Sequence, residues 1–178
     1  MKRVLWILLS VLIGAVAVAY GVGMFIPRDH VARMTINLTA PPAQVWALIS
    51  DFANTPKWRT DVTAVVMSPQ PNGAVRFTES SSQGEIPFEV VSQEPPARQV
   101  VRVVDDDQPF GGTWTWELER VPTGTKLTLT EAGFVKNPIF RAIGTLFFSP
   151  TDTMDTYLRA LAKALGDSAL PRIIVVTG

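Results

Sequence analysis

Residues 40–58 read APPAQVWALISDFANTPKW, and they mark the first change of structural period in the chain. Pro41-Pro42 ends extended pairing and suits the start of a helix, where a missing N–H costs nothing. Val45, Trp46, Leu48 and Ile49 then follow helical spacing until Ser50-Asp51, giving a short amphipathic helix. A second short helical piece is expected over 52–58, limited by Asn54 and Pro56. Immediately upstream, residues 30–38 alternate: Met34, Ile36 and Leu38 share one face, Arg33, Thr35 and Asn37 the other. That is the period of a half-buried strand.

Downstream, six strand-like runs are expected, over 62–67, 75–80, 86–92, 100–104, 113–119 and 126–133. Turn formers separate them: Pro69-Gln70-Pro71-Asn72-Gly73, Gln83-Gly84, Pro95-Pro96, Phe110-Gly111-Gly112 and Pro122-Thr123-Gly124. Such connections are too short for helical crossovers, so the strands run antiparallel. Trp114, Trp116 and Leu118 face one way and Thr113, Thr115, Glu117 and Glu119 the other, so one sheet face is apolar and the other wet.

The period then returns to that of a helix. Asn137-Pro138 reads as a cap with proline at the first position, followed by Ile139, Phe140, Ile143, Leu146 and Phe147. Ser149 is the expected cap of a last helix, with Asp152 near its positive end. Met154, Leu158, Leu161 and Leu165 form its apolar stripe, closed by Gly166. The apolar sheet face is the available partner for that stripe. Residues 171–178 stay unplaced, as a tail.

The order of one strand, two short helices, six strands and a long helix is that of the helix-grip fold, an α+β architecture. Residues 40–52 with Pro56-Lys57-Trp58 resemble the opening of the polyketide cyclase/dehydrase and lipid-transfer (SRPBCC, START-like) superfamily. Asn137-Pro138-Ile139-Phe140-Arg141 and Tyr157-Leu158-Arg159-Ala160-Leu161 resemble the C-terminal part of small bacterial members. The resemblance spans about 30–166. It implies a curved antiparallel sheet of about seven strands wrapped on the C-terminal helix, with a ligand cavity between them. Members range from ligand carriers to cyclases, and a fold hosts many functions.

Strand parity and helical phase put Phe77, Phe88, Val90, Val101, Val103, Trp114, Trp116, Leu127 and Leu129 opposite Met154, Leu158 and Leu161. Such a set is either a packed core or the wall of a pocket for a hydrophobic ligand, and the resemblance favours the pocket. Trp58 matches the resembling helix pair and is expected to cover one end of the cavity; Asp51 is expected to cap local backbone. Glu79 continues the phase of Phe77, and Glu131 that of Leu129. Each is either a carboxyl turned inward, able to act as acid or base, or a strand end in water. Asp105-Asp106-Asp107 reads as a solvated turn with a weak calcium site as the rival. His30 reads as interfacial. Residues 139–148 read as core, as a lid over the cavity, or as a surface dipping into lipid.

Residues 4–26 carry no charge and, as a helix, are long enough to cross a bilayer. Lys2 and Arg3 precede them, which places the following domain outside the cytoplasm. The rival is a cleaved signal peptide, with small residues at Ala15, Ala17 and Ala19. The division expected is 1–26 anchor or signal, 27–170 domain and 171–178 tail. This span also accounts for much of the 47% hydrophobic and 18% charged composition, where about 25% charged is usual. Sixteen basic residues balance 16 acidic ones, and Lys2 and Arg3 lie before the span, so the domain is mildly acidic and no nucleic-acid partner is expected. With no cysteine and one histidine, no metal or cofactor is expected either. The expected function is a membrane-anchored binder of a hydrophobic small molecule or lipid. A cyclase or dehydratase using Glu79 or Glu131, and a membrane-associated interaction module, are the alternatives.

Overall fold

The structure, a computed structural model, describes residues 2–68, 70–71, 73–82, 84–104, 109–147 and 151–177. The expected acidic run at 105–107, the cap at Ser149, the turn residues Pro69, Asn72 and Gln83, and Phe148 lie outside the described residues.

Helix α1 (Lys2–Phe25) leads into β1 (Asp29–Leu38), followed by α2 (Pro42–Ile49) and a 3-10 turn over Phe52–Lys57. Strands β2 (Val62–Met67), β3 (Arg76–Ser81), β4 (Gly84–Glu94), β5 (Arg98–Val103), β6 (Phe110–Val121) and β7 (Gly124–Val135) come next. Helices α3 (Pro138–Phe147) and α4 (Asp152–Ala164) precede a last strand, β8 (Arg172–Thr177). Every pairing is antiparallel, in the order β2-β3-β4-β5-β6-β7-β1-β8. This is the helix-grip arrangement, with eight strands where about seven are expected. The extra strand is the unplaced tail, which pairs with β1 from Val31↔Thr177 to Thr35↔Arg172.

The alternation in β1 becomes a core face: Ala32, Met34, Ile36 and Leu38 are buried and meet Leu127 and Leu129 of β7. Helix α4 lays Met154, Leu158 and Leu161 on that face, each 0% exposed. Full burial of such a side chain is worth roughly 1.5–3 kcal/mol, so this layer is a large apolar contribution to the domain. Gly124 opens β7 at φ +136°, where a Cβ would lie 2.1 Å from the Leu38 carbonyl oxygen; only glycine makes this turn against β1. Thr125 Oγ1 donates to the Ala40 carbonyl at 2.7 Å and ties the start of β7 to the chain entering α2.

Two local expectations resolve at the helix ends. Asn137 caps α3 through its Oδ1, which accepts from the Ile139 N–H at 2.8 Å. Asp51 does not cap backbone with its carboxylate; Oδ2 accepts from the Asn54 side-chain amide at 2.8 Å, while the Asn54 N–H goes to the Asp51 carbonyl. A 3-10 turn directs its first N–H to that carbonyl, which leaves the carboxylate to a side chain.

Candidate functional site

Cross-strand register arranges the concave face in rows. Phe77 stands opposite Phe88, and Phe88 opposite Val103. In the next row Val90, Val101, Trp114 and Glu131 follow one another across β4 to β7, and one step further Trp116 faces Leu129, which faces Met34. All the expected wall residues therefore share one face.

Burial divides them. Leu127, Leu129, Met154 and Leu158 are closed into the core, and Val101 and Trp116 are nearly so. Along these residues the sheet and α4 pack into one apolar core. Phe88, Val90, Val103 and Trp114, in the rows nearer the start of β1, are only half-buried and line a concave apolar surface that α4 leaves partly uncovered. Phe77 closes one side, its ring stacked between Phe52 at 4.3 Å and Phe88 at 5.4 Å.

Tyr157 of α4 stands at the centre of the aromatic set. Trp58 meets it edge-on at 5.4 Å, Trp114 edge-on at 5.6 Å, and Trp116 tilted at 5.8 Å. These offset geometries suit the ring quadrupoles, and each such pair is worth about 0.5–1.5 kcal/mol beyond area burial. Among the described residues neither Trp58 Nε1 nor Trp116 Nε1, both buried, makes a well-formed hydrogen bond, and the Trp116 indole is turned toward the Tyr157 hydroxyl. A buried donor without an acceptor costs roughly 1–3 kcal/mol, so the Trp58 N–H beside this ring is a feature to be explained.

Arg59, only 8% exposed, lies against the same ring, its guanidinium 5.3 Å from the Tyr157 centroid. It donates from Nη2 to Asp61 Oδ2 at 2.6 Å and from Nη1 to both Glu79 oxygens at 3.1 and 3.2 Å. Burial works against charge at all three groups. For Arg59 it is outweighed by the hydrogen bond to Asp61 and the charge of Glu79, so the guanidinium is held as a cation. At Asp61, burial is likewise outweighed by the Arg59 bond and charge, and its carboxyl stays below the usual range. Glu79 is different: its burial exceeds the help from Arg59, so its carboxyl holds its proton more firmly than an ordinary glutamate. Burial also pushes the Tyr157 hydroxyl well up, leaving it a proton donor at any ordinary pH.

Glu131 also turns to the concave face, 3.5 Å from His30 Nε2. The hydrogen bond to Glu131 raises the His30 pKa against the opposing effect of burial. Glu79 and Glu131 thus sit in two separate ion pairs. Sequence reading singles out neither Arg59 nor Tyr157. Arg59 lies just past a 3-10 turn, where no periodicity exists. Tyr157 falls between the stripe positions Met154 and Leu158, and its place on the buried face follows from i+3 spacing to Met154.

A sequence model of the family described as polyketide cyclase/dehydrase and lipid transport matches residues 29–166. No curated protein matches the chain significantly. Among solved structures, the Zhui aromatase/cyclase of a Streptomyces species superposes with a TM-score of 0.64 at 12% identity, over 78% of this chain and 94% of that one. A START superfamily protein of Mycobacterium smegmatis gives 0.59 at 15%, over 77% and 97%. The di-domain ARO/CYC protein BexL of the BE-7585A biosynthetic pathway gives 0.63 at 14%, over 83% of this chain and 52% of that one. At such identities the likeness is one of fold.

Proposed function

The chain belongs to the polyketide cyclase/dehydrase and lipid transport family, and from that membership and the aromatic geometry we propose a membrane-anchored protein that binds a hydrophobic, oxygen-bearing small molecule or lipid on the concave face. The observation that carries this reading is the buried indole N–H of Trp58, which lies beside Tyr157 and has no acceptor among the described residues. A ligand carbonyl or hydroxyl oxygen would accept from such a donor, while Phe88, Val90, Val103 and Trp114 take its apolar body. The proposed anchor is α1: within Lys2–Phe25 an 18-residue stretch has a mean hydropathy of 2.4, and Gly23 is the one buried residue of the helix. Its close packing on α3 supports a helix kept in the mature protein over a removed signal.

Co-purification tests the binding. Native mass spectrometry of the full chain released from membranes is expected to show a bound hydrophobic species. Val103→Trp, which fills the concave surface, is expected to abolish it with the circular dichroism unchanged. No bound species in either form, and no ligand-dependent change in tryptophan fluorescence with lipid extracts, would defeat the proposal.

One observation favours a second reading, a cyclase-like enzyme: Glu79, whose carboxyl binds a proton more firmly than an ordinary glutamate, is hydrogen-bonded to the buried Arg59, which lies against the Tyr157 ring, a setting that suits an acid–base group. Glu79→Gln separates the two, since a binder keeps its ligand and an enzyme loses turnover.

A further inference from the structure

Helix α3 carries Pro138, Ile139, Phe140, Ala142, Ile143, Gly144, Thr145, Leu146 and Phe147, with Arg141 as its one charged residue. It packs along α1. Gly23 is the one buried residue of α1, and a Cβ there would fall 1.8 Å from the Pro138 carbonyl oxygen, so the two backbones touch. Further up α1, Ile139 shares a groove with Leu12, Ile13, Val16, Ala17 and Tyr20. These α1 positions lie on one stripe at spacings of three and four, and at 1.5 Å per residue Leu12 stands about 16 Å from Gly23 along the helix.

The charge of Arg141 is turned inward. Its Nε donates to the Gly23 carbonyl at 3.0 Å and its Nη1 to the Val135 carbonyl at 3.3 Å. Gly23 is among the last residues of α1, whose carbonyls have no partner within the helix, and in hydrocarbon each would cost several kcal/mol. The flank of α3 that remains exposed holds Phe140 at 50% and Ile143 at 41%, and the Thr145 hydroxyl there is satisfied by the Arg141 carbonyl. Just outside both helices, Arg28 and Lys136 lie over the Phe134 ring, at 5.1 and 5.9 Å. Cations with an aromatic ring are the residues that suit the headgroup level.

We infer that α3 is a second membrane-embedded element, seated against α1 in the leaflet nearest the domain, with Phe140 and Ile143 among acyl chains and Arg28 and Lys136 at the headgroup phosphates. This rests on α1 being a bilayer span: a side chain that shares a groove with Leu12 to Tyr20 then sits at their depth. The partner is lipid, because the flank is apolar, lacks charge and continues the surface of the span.

The absence of cysteine makes the test direct. Single cysteines at Leu12, Phe140, Ile143 and Thr123, the last in the β6–β7 turn at the far end of the sheet, are labelled with an environment-sensitive fluorophore. The full chain is then reconstituted in phosphatidylcholine vesicles. Probes at 140 and 143 are expected to shift to the blue and to be quenched by spin-labelled lipid at least fivefold more than the probe at 123. Iodide quenching at 140 and 143 equal to that at 123, with the Leu12 probe still quenched by lipid, overturns the placement of α3 and leaves the anchor. Blue-shifted probes insensitive to spin-labelled lipid overturn it in favour of a protein partner. Iodide quenching at Leu12 refutes the anchor itself, and the placement with it. Gly23→Leu, which wedges the helices apart, is expected to reduce the lipid quenching at 143 at least twofold without moving that at Leu12; unchanged quenching at 143 counts against docking through Gly23.

Discussion

Replacing Arg59 by methionine is the most informative single change in this domain. Arg59 is 8% exposed, and its guanidinium joins Asp61 at 2.6 Å and Glu79 at 3.1 Å. The two carboxylates do not weigh equally. The Asp61 side chain is 37% exposed and is re-solvated when its partner leaves, so it contributes within the 0–1 kcal/mol of a surface pair. The Glu79 side chain is 16% exposed and has no such recourse. Charges about 4 Å apart attract by roughly 4 kcal/mol at an effective dielectric of about 20, and removing one partner of a buried pair costs about 3–5 kcal/mol. Glu79 can escape part of that by binding a proton. Arg59→Met is therefore expected to destabilise by about 3 kcal/mol at pH 7, lowering Tm by roughly 6–12 °C for a chain of this size, and by less at pH 5. Adding Glu79→Gln removes the stranded charge and is expected to return at least 1 kcal/mol at pH 7. Urea and thermal unfolding of the full chain in mild detergent give all three values as a double-mutant cycle. Equal stability of Arg59→Met and the parent at pH 7, or no recovery in the double variant, would refute a buried, Arg59-dependent Glu79.

Leu158→Ala opens a void where the side chain is 0% exposed and is expected to cost about 2–5 kcal/mol in urea unfolding; a cost under 1 kcal/mol would mean that α4 is not clamped to the sheet. The His30 pKa is raised by Glu131, so the native state holds the proton more tightly than the unfolded chain. Its contribution is complete below the unfolded value of about 6.5 and is lost as pH rises through the folded value. His30→Asn is expected to flatten the decline in stability just above pH 6.5, with the pair's partial exposure keeping the effect small; an unaltered pH profile would discount it. Trp114→Ala removes one wall of the concave surface and is expected to weaken ligand binding about tenfold, read by fluorescence titration; undiminished affinity would place the ligand elsewhere.

The sheet and the grip of α4 are legible in the sequence because both are periodic. Trp114, Trp116 and Leu118 announce a core face by alternation, and Met154, Leu158 and Leu161 announce its partner by helical spacing. Strand β8 escapes the same test because it lies at an edge, exposed on both faces, and gains its place from main-chain pairing with β1. The rows of the concave face were also accessible, since parity alone assigns Phe77, Phe88, Val103 and Trp114 to it. What parity cannot supply is depth. Leu129 and Trp114 belong to the same face, yet one is sealed beneath α4 and the other half open, and that depends on where a helix from distant sequence ends. Arg59 is hidden for a related reason: Asp61 lies two residues away in a loop without periodicity, and Glu79 comes from a strand that only tertiary structure brings to it.

The attachment of α1 to β1 has a mechanical consequence. β1 is flanked by β7 on one side and β8 on the other, and its ladder with β7 runs through ten residue pairs from Asp29↔Phe134 to Leu38↔Thr125. With α1 as the proposed anchor, a tug from a bilayer would pull along this strand, perpendicular to its hydrogen bonds, so the ladder would be loaded in shear and its bonds would share the strain. Had the anchor been joined to an edge strand and pulled sideways, the bonds would open one at a time. Tethering through an interior strand would make the domain resistant to being unravelled by a membrane holding the proposed anchor.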